Sequence, residues 1–515
     1  MRGQQFLGRD AYVRIGSGGV PSRVSQLIRP PAFSHYYTRR ALPQPIGSLD
    51  LCLLHFAASF VPGPLWQLVR GGPLTTLAAT VGAGLFLFPM TLAAAKLMAL
   101  APAEGALYSW TVRLLGPYWG AVVGISDWLP GLLAAVSALM SFVVTLQSLK
   151  AGWLVEPWQR GLVILVLLIL LLLLGWQRQR TVQRVVNALS ALMLIIVALS
   201  GICSLVLLQQ RAWSLPPSWR SGWPADRFPH TPASLTALLY LGYGAPLSMA
   251  GELRPGLTPG RPLLGSALLL SGSYLLLAIS ALLAPDGEPG LVLEMALGHP
   301  AGSLALVGLL AFYLCVAFVH TAACARLLLV AALDGLVPTK LAWLNQQRIP
   351  WRAFAAQTLL AGLLTTLFSV LLPQMHLDKA SSFIALPLLL ATMALLRMFV
   401  AFFCLYILIL ASYYGSLMTP DSRVASPWWL WPTTVAGVAG STLVALGILT
   451  SSWTPMLPDA TWTLLAGILI LVCLGTATMA ALPATAHARR LGPHLLLSLQ
   501  EEETAQPQEQ ASVPT

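Results

Sequence analysis

Twelve runs of apolar residues, each near the ~20 residues that cross a bilayer as a helix, dominate this chain. They lie near 51–70, 74–99, 117–147, 157–176, 184–208, 232–251, 262–284, 302–332, 353–373, 382–411, 428–450 and 460–483. Lipid offers no partner to an open backbone N–H or C=O, so such runs must close their own hydrogen bonds as helices. The expected fold is therefore an all-α polytopic membrane protein of about 12 transmembrane helices. The run 382–411 is too long for one perpendicular helix and too short for two, which predicts one tilted or extended helix. Composition agrees: 57% of the 515 residues are hydrophobic and 9% are charged, where a soluble domain carries about 25%. A soluble enzyme, a nucleic-acid binder and a disordered chain are excluded as first readings. The six cysteines all sit in apolar runs and read as small buried hydrophobes rather than a disulfide frame or a zinc site.

The net charge of +11 is a matter of topology. With both ends on one side, 20 of the 29 Lys and Arg fall on the tails and loops of that side and seven on the other, while Arg326 and Arg397 lie inside runs. The positive-inside rule then predicts an even number of spans and cytoplasmic termini. Residues 1–49 hold seven arginines and no signal-length apolar run, and read as a basic, weakly structured tail. The polar segment 485–515 reads as a second unstructured tail. Residues 286–299 predict a short external helix over the eighth run.

Two runs carry helix breakers at matching places. The first contains Phe60-Val61-Pro62-Gly63-Pro64 and the sixth contains Gly242-Tyr243-Gly244-Ala245-Pro246. Each proline removes a backbone donor and clashes with the turn before it. Five runs separate the two breaks, the pattern of two five-helix repeats, 50–208 and 232–411, followed by a last pair of helices in 428–484. An odd number of helices per repeat makes the repeats inverted. Unwound segments at mid-membrane expose free N–H and C=O groups and half-helix ends, which attract a carboxylate and an ammonium or cation. Ser59, Phe60, Val61, Pro62, Gly63, Gly242, Tyr243, Gly244 and Ala245 are the candidate substrate-binding residues.

Further motifs follow in order. Gly72-Pro73 opens the second run, Lys96-Leu97 closes it, and Pro102-Ala103-Glu104-Gly105-Ala106-Leu107-Tyr108 follows. Leu115-Gly116-Pro117 starts the third run, Gly251-Glu252-Leu253-Arg254-Pro255 follows the sixth, and Arg326 with Asp334-Gly335-Leu336-Val337-Pro338 ends the eighth. In this order the chain resembles the amino acid–polyamine–organocation permeases, from about Ser48 to about Ala355. The resemblance implies a leucine-transporter-type 5+5 inverted repeat with broken helices 1 and 6. It also implies a secondary transporter for an amino acid or related amine, working by alternating access in the inner or plasma membrane. Lys96 stands where the family usually has an acid, and Leu333 where it usually has Arg. Those departures keep a second expectation open, a non-transporting sensor or subunit of a membrane complex.

Charged groups inside runs are functional candidates by default. Asp127 could carry a proton, hold a substrate amine, or balance a buried cation. Arg397 could neutralise Asp127 or meet an anionic substrate group. His320 could shuttle protons or simply pack against the first broken helix. The resemblance places Glu252, Arg326 and Asp334 at a cytoplasmic gate; a solvated helix end is the alternative, and for Arg326, deeper in the eighth run, the gate is the preferred reading. Relatives that use sodium carry hydroxyls along the eighth span; here Thr321 is followed by alanines, so coupling to protons or exchange is the stronger expectation. No nucleotide loop, HExxH or GxSxG is present, so no cofactor, metal, catalytic residue or nucleic-acid partner is expected.

Overall fold

The computed structural model describes residues 33–62, 82–149, 152–210, 241–283, 289–367, 379–418, 427–453 and 457–510. Fourteen α-helices account for most of them: α1 (Phe33–Ala41), α2 (Ser48–Ser59), α3 (Phe88–Leu100), α4 (Ala106–Leu115), α5 (Pro117–Leu149), α6 (Pro157–Gly175) and α7 (Gln179–Gln210). Then come α8 (Gly260–Leu283), α9 (Pro289–Leu297), α10 (His299–Leu333), α11 (Trp351–Thr366), α12 (Lys379–Met418), α13 (Pro427–Thr450) and α14 (Asp459–Gln510). Eight of these are long and apolar enough to cross a membrane: α5, α6, α7, α8, α10, α12, α13 and α14. The first two runs appear as shorter apolar helices, Ser48–Ser59 and Gly84–Leu100. The described part of the sixth run holds turns, and the ninth is helical over Trp351–Thr366. Among the described residues eight helices have spanning length, where twelve spans were expected.

Local chemistry explains the irregular places. Pro89 has no N–H for the carbonyl of Leu85, and a π turn at Ala83–Leu87 precedes it. Gly335, at φ +75°, ends α10: its N–H and that of Leu336 turn back to the carbonyls of Ala332 and Ala331 at 3.2 and 2.8 Å. Gly105, at φ +56°, sets the entry to α4, where a side chain would strain the backbone and press on Val330. The run 382–411 is indeed one helix, α12, with Pro387 inside it.

α10 is the hub. It packs along α5 and also meets α2, α7, α9 and α11. Two-thirds of its apolar window is buried, against 17% for α14, which lies at the edge of the bundle. Outward-facing residues such as Leu162, Val166, Ile169, Leu170 and Leu173 on α6 are at least half exposed. In water such a stripe would aggregate, whereas against lipid it costs nothing. The helix expected within 286–299 is α9, packed on α10.

Two expectations of unstructured tail differ from what is found. Residues 33–41 form α1, with Ser34 and Thr38 buried beside the end of α10. α14 runs on past Ala484 to Gln510. Its extension holds good helix formers in Leu495-Leu496-Leu497 and Glu501-Glu502-Glu503, although Gly492, Pro493 and Pro507 oppose a helix.

Candidate functional site

The first break is a consequence of Pro62. The last regular bond of α2 runs from the N–H of Phe60 to the carbonyl of Phe56, 2.8 Å. The carbonyl of Ala58 would take its hydrogen bond from residue 62, and proline has none to give. Nε2 of His320 on α10 donates to it instead, at 3.1 Å. The hydroxyl of Tyr274 on α8 serves two more freed groups: it accepts from the N–H of Val61 at 2.9 Å and donates to the carbonyl of Ser59 at 3.1 Å. Phe60 is stacked on Phe56 with ring centres 4.9 Å apart and leans on Tyr274 and Phe312. The hydroxyl oxygen of Ser59 is buried with no partner among the described residues. Gly63 lies outside them.

The second break is a string of tight turns. Leu241–Gly244 and Ala250–Glu252 are 3-10 turns. Between them Ala245, Leu247, Met249 and Ala250 each donate three residues back, to Gly242, Gly244, Pro246 and Leu247. Gly242 lies so close to the first break that a methyl group there would strike the backbone of Ala58 and Ser59. The two breaks therefore meet backbone to backbone, and only glycine permits it. Tyr243 stands edge-on to Phe86, and its hydroxyl donates to the carbonyl of Arg397 at 3.5 Å.

Beside this junction two buried charges neutralise each other. Arg397, midway along α12, forms an ion pair and hydrogen bond with Asp127 on α5. A methyl on Gly244 would come within 2.9 Å of Arg397 Nη1 and 3.3 Å of Asp127 Oδ1, so the pair lies directly against the second break. A small cavity here is bounded by Asp127, Arg397, Gly131, Gly244, Ser248 and His320. As a pair the two groups have no net charge, which offsets much of their desolvation, whereas either alone would be strongly unfavourable. Of the alternatives open for Arg397, the structure pairs it with Asp127, and His320 lines the same cavity while tied to the first break.

The gate candidates separate into two groups at one end of the bundle. Arg326 on α10 donates from Nε to Glu252 at 3.0 Å, from Nη2 to Gln179 at 2.9 Å and from Nη1 to the carbonyl of Ala322 at 3.3 Å. Glu104, in the loop between α3 and α4, is 3.8 Å from the same Nε and accepts from the N–H of Gly251 at 3.1 Å. Asp334 is not with them. It accepts from the N–H and hydroxyl of Ser34 and from the hydroxyl of Tyr108, all within 3.0 Å. Burial nevertheless pushes its carboxyl up to about 6. Backbone bridges lace these pieces together: Ile46 pairs with Leu253, and Glu104 with Met249. Arg254 donates to the carbonyl of Pro45 and lies 3.9 Å from Asp50.

Sequence reasoning missed Glu104, Gln179, Tyr274 and the partners of Asp334. Glu104 had a signal, a lone acid between Pro102 and Gly105 in an otherwise apolar stretch. Tyr274 had only a hydroxyl in the middle of an apolar run.

A broken first helix set against a second unwound segment, with a buried charge pair beside them, agrees with one comparison. The model of the amino acid permease family matches residues 53–414. The chain belongs to the amino acid permease family. The match takes in both breaks, Asp127, Arg397 and the whole Glu104–Glu252–Arg326 cluster. No curated protein matches the chain. This permease is accordingly a multi-pass membrane protein of a transporter family, and its apolar helices fit that assignment.

Proposed function

We propose that this permease carries a small amino acid or related amine across the membrane by alternating access, with the substrate held where the two breaks meet. The observation that carries the reading is that junction: Gly242 against the backbone of Ala58 and Ser59, with the Asp127–Arg397 pair against Gly244. The substrate carboxylate would take the N–H groups of the unwound segments and the Arg397 guanidinium. The ammonium would take their carbonyls, the unpartnered Ser59 hydroxyl and Asp127. Phe60 and Tyr243 would close over its side chain. Twelve spans in a 5+5 inverted repeat, both termini in the cytoplasm and coupling to protons or exchange complete the proposal; sodium fits less well, because alanines follow Thr321.

The test is uptake by purified protein in sealed liposomes, with labelled amino acids and polyamines offered with and without an inward proton gradient. Accumulation stimulated by the gradient is expected, and Asp127→Asn should abolish it while the protein keeps its helical content. Folded wild-type protein that moves no substrate in either direction would refute the transporter and leave a sensor or subunit.

A further inference from the structure

Two carboxylates and one guanidinium are buried together at the end of the bundle. Glu104 and Glu252 are at most 1% exposed and Arg326 is 3% exposed. With every group ionised, the cluster keeps one uncompensated negative charge in a place water does not reach. Gln179, the fourth member, is neutral. We propose that Glu104 and Glu252 together bind one proton when this end is closed, and that the permease gives it up to water when the end opens.

The hydrogen-bond pattern supports a missing proton donor. Oε1 of both acids converges on the same Arg326 Nε, at 3.0 Å for Glu252 and 3.8 Å for Glu104. Only the shorter of these is a hydrogen bond. Glu104 Oε1 and Glu252 Oε2 are buried with no hydrogen-bond partner among the described residues. An ionised carboxylate is acceptor-only, so such orphans cost free energy, and a proton turns one of the acids into a donor. Two like charges this close cannot both stay ionised when one cation serves them both. Burial, and then the neighbouring Glu252, hold the Glu104 carboxyl well above the usual carboxylate range.

Other charges do not fill the deficit. Among the described residues, the charged groups that act on Glu104 are Glu252 and Arg326. Arg254, two residues beyond Glu252, turns to Pro45 and Asp50. Asp334, at the end of α10, is taken up by Ser34 and Tyr108.

The cluster is also built to come apart. Glu104 belongs to the α3–α4 loop, Glu252 to the last turn of the second break, and Arg326 to α10. Opening this end would separate the three and admit water, and a hydrated carboxyl titrates near its usual ~4.3, so the proton leaves at neutral pH. This release step rests on the transporter reading, but the bound proton does not.

Infrared spectroscopy of the purified permease in nanodiscs tests it. At neutral pH the wild type should show a protonated carboxyl C=O band that moves on labelling with 13C-glutamate. Glu104→Gln and Glu252→Gln each leave one acid for one guanidinium, so each should lose that band, while Asp127→Asn keeps it. Absence of a glutamate band from the wild type, or its survival in both glutamine variants, would overturn the proposal. The labelled wild type decides even if a variant fails to fold. In liposomes, Glu104→Gln should move one proton fewer per substrate than the wild type, and an unchanged ratio overturns the coupling. A wild type that shows the band but no uptake refutes the transporter instead.

Discussion

Tyr274→Phe removes one oxygen atom from the first break and nothing else. The ring keeps its place 5.1 Å from Phe60. The carbonyl of Ser59 loses a 3.1 Å donor and the N–H of Val61 loses a 2.9 Å acceptor. Neither can turn back to α2, because the chain has already left helical geometry at Phe60, with ψ at 106°. A buried backbone group left unpaired costs about 1–3 kcal/mol. Ser59 is fully buried and Val61 only partly, so the full cost applies to the first and a fraction to the second. The expected loss is about 2–4 kcal/mol in total. Equilibrium unfolding in detergent micelles, followed by helical circular dichroism, would measure it. Tyr406→Phe, at a side chain 48% exposed, is the control. A change within about 0.5 kcal/mol, the range of ordinary surface substitutions, would refute the claim that this hydroxyl satisfies the break.

Gly242→Ala places a methyl group 2.7 Å from the Cα of Ser59. The two breaks must part, at a cost of about 1–3 kcal/mol or more, and a lowered thermal midpoint together with lost uptake checks it. Arg397→Met leaves Asp127 buried and unpaired, a loss of about 3–5 kcal/mol, most of which the double variant with Asp127→Asn should recover in unfolding measurements. For Asp334 the carboxyl lies above its ordinary 3.8, at about 6, because burial favours the neutral form. Its stabilising contribution is therefore complete below 3.8 and fades as pH rises through about 6. A plot of thermal midpoint against pH should lose that slope in Asp334→Asn, and a slope retained there would assign the titration elsewhere.

Much of the architecture follows from short-range chemistry and is legible along the chain. Apolar runs near bilayer length must be helices, so α5, α6, α7, α8, α10, α12, α13 and α14 fall where hydropathy puts them. Pro62 and the glycines at 242 and 244 mark the breaks because missing donors and missing Cβ atoms act within a few residues. The Asp127–Arg397 pair was one of the alternatives the chain offered, since a charge inside a lipid-spanning helix demands an opposite one, but Arg326 also lies inside an apolar run and pairs elsewhere. Long-range partners were not legible. The first break is completed by Tyr274 and His320, which come from 213 residues and 262 residues away in sequence. Asp334 was grouped with Glu252 and Arg326 as a gate candidate, yet it faces Ser34 and Tyr108, because α1 and α4 pack against the end of α10 where it sits. Glu104 looked like a loop residue until the bridge to Met249 carried it under Arg326. Hydropathy and missing donors are properties of a few neighbouring residues, so the sequence by itself determined the helices, the breaks and the demand for charge pairing. Which carboxylate answers which cation depends on how distant segments pack, and that only the tertiary structure decided.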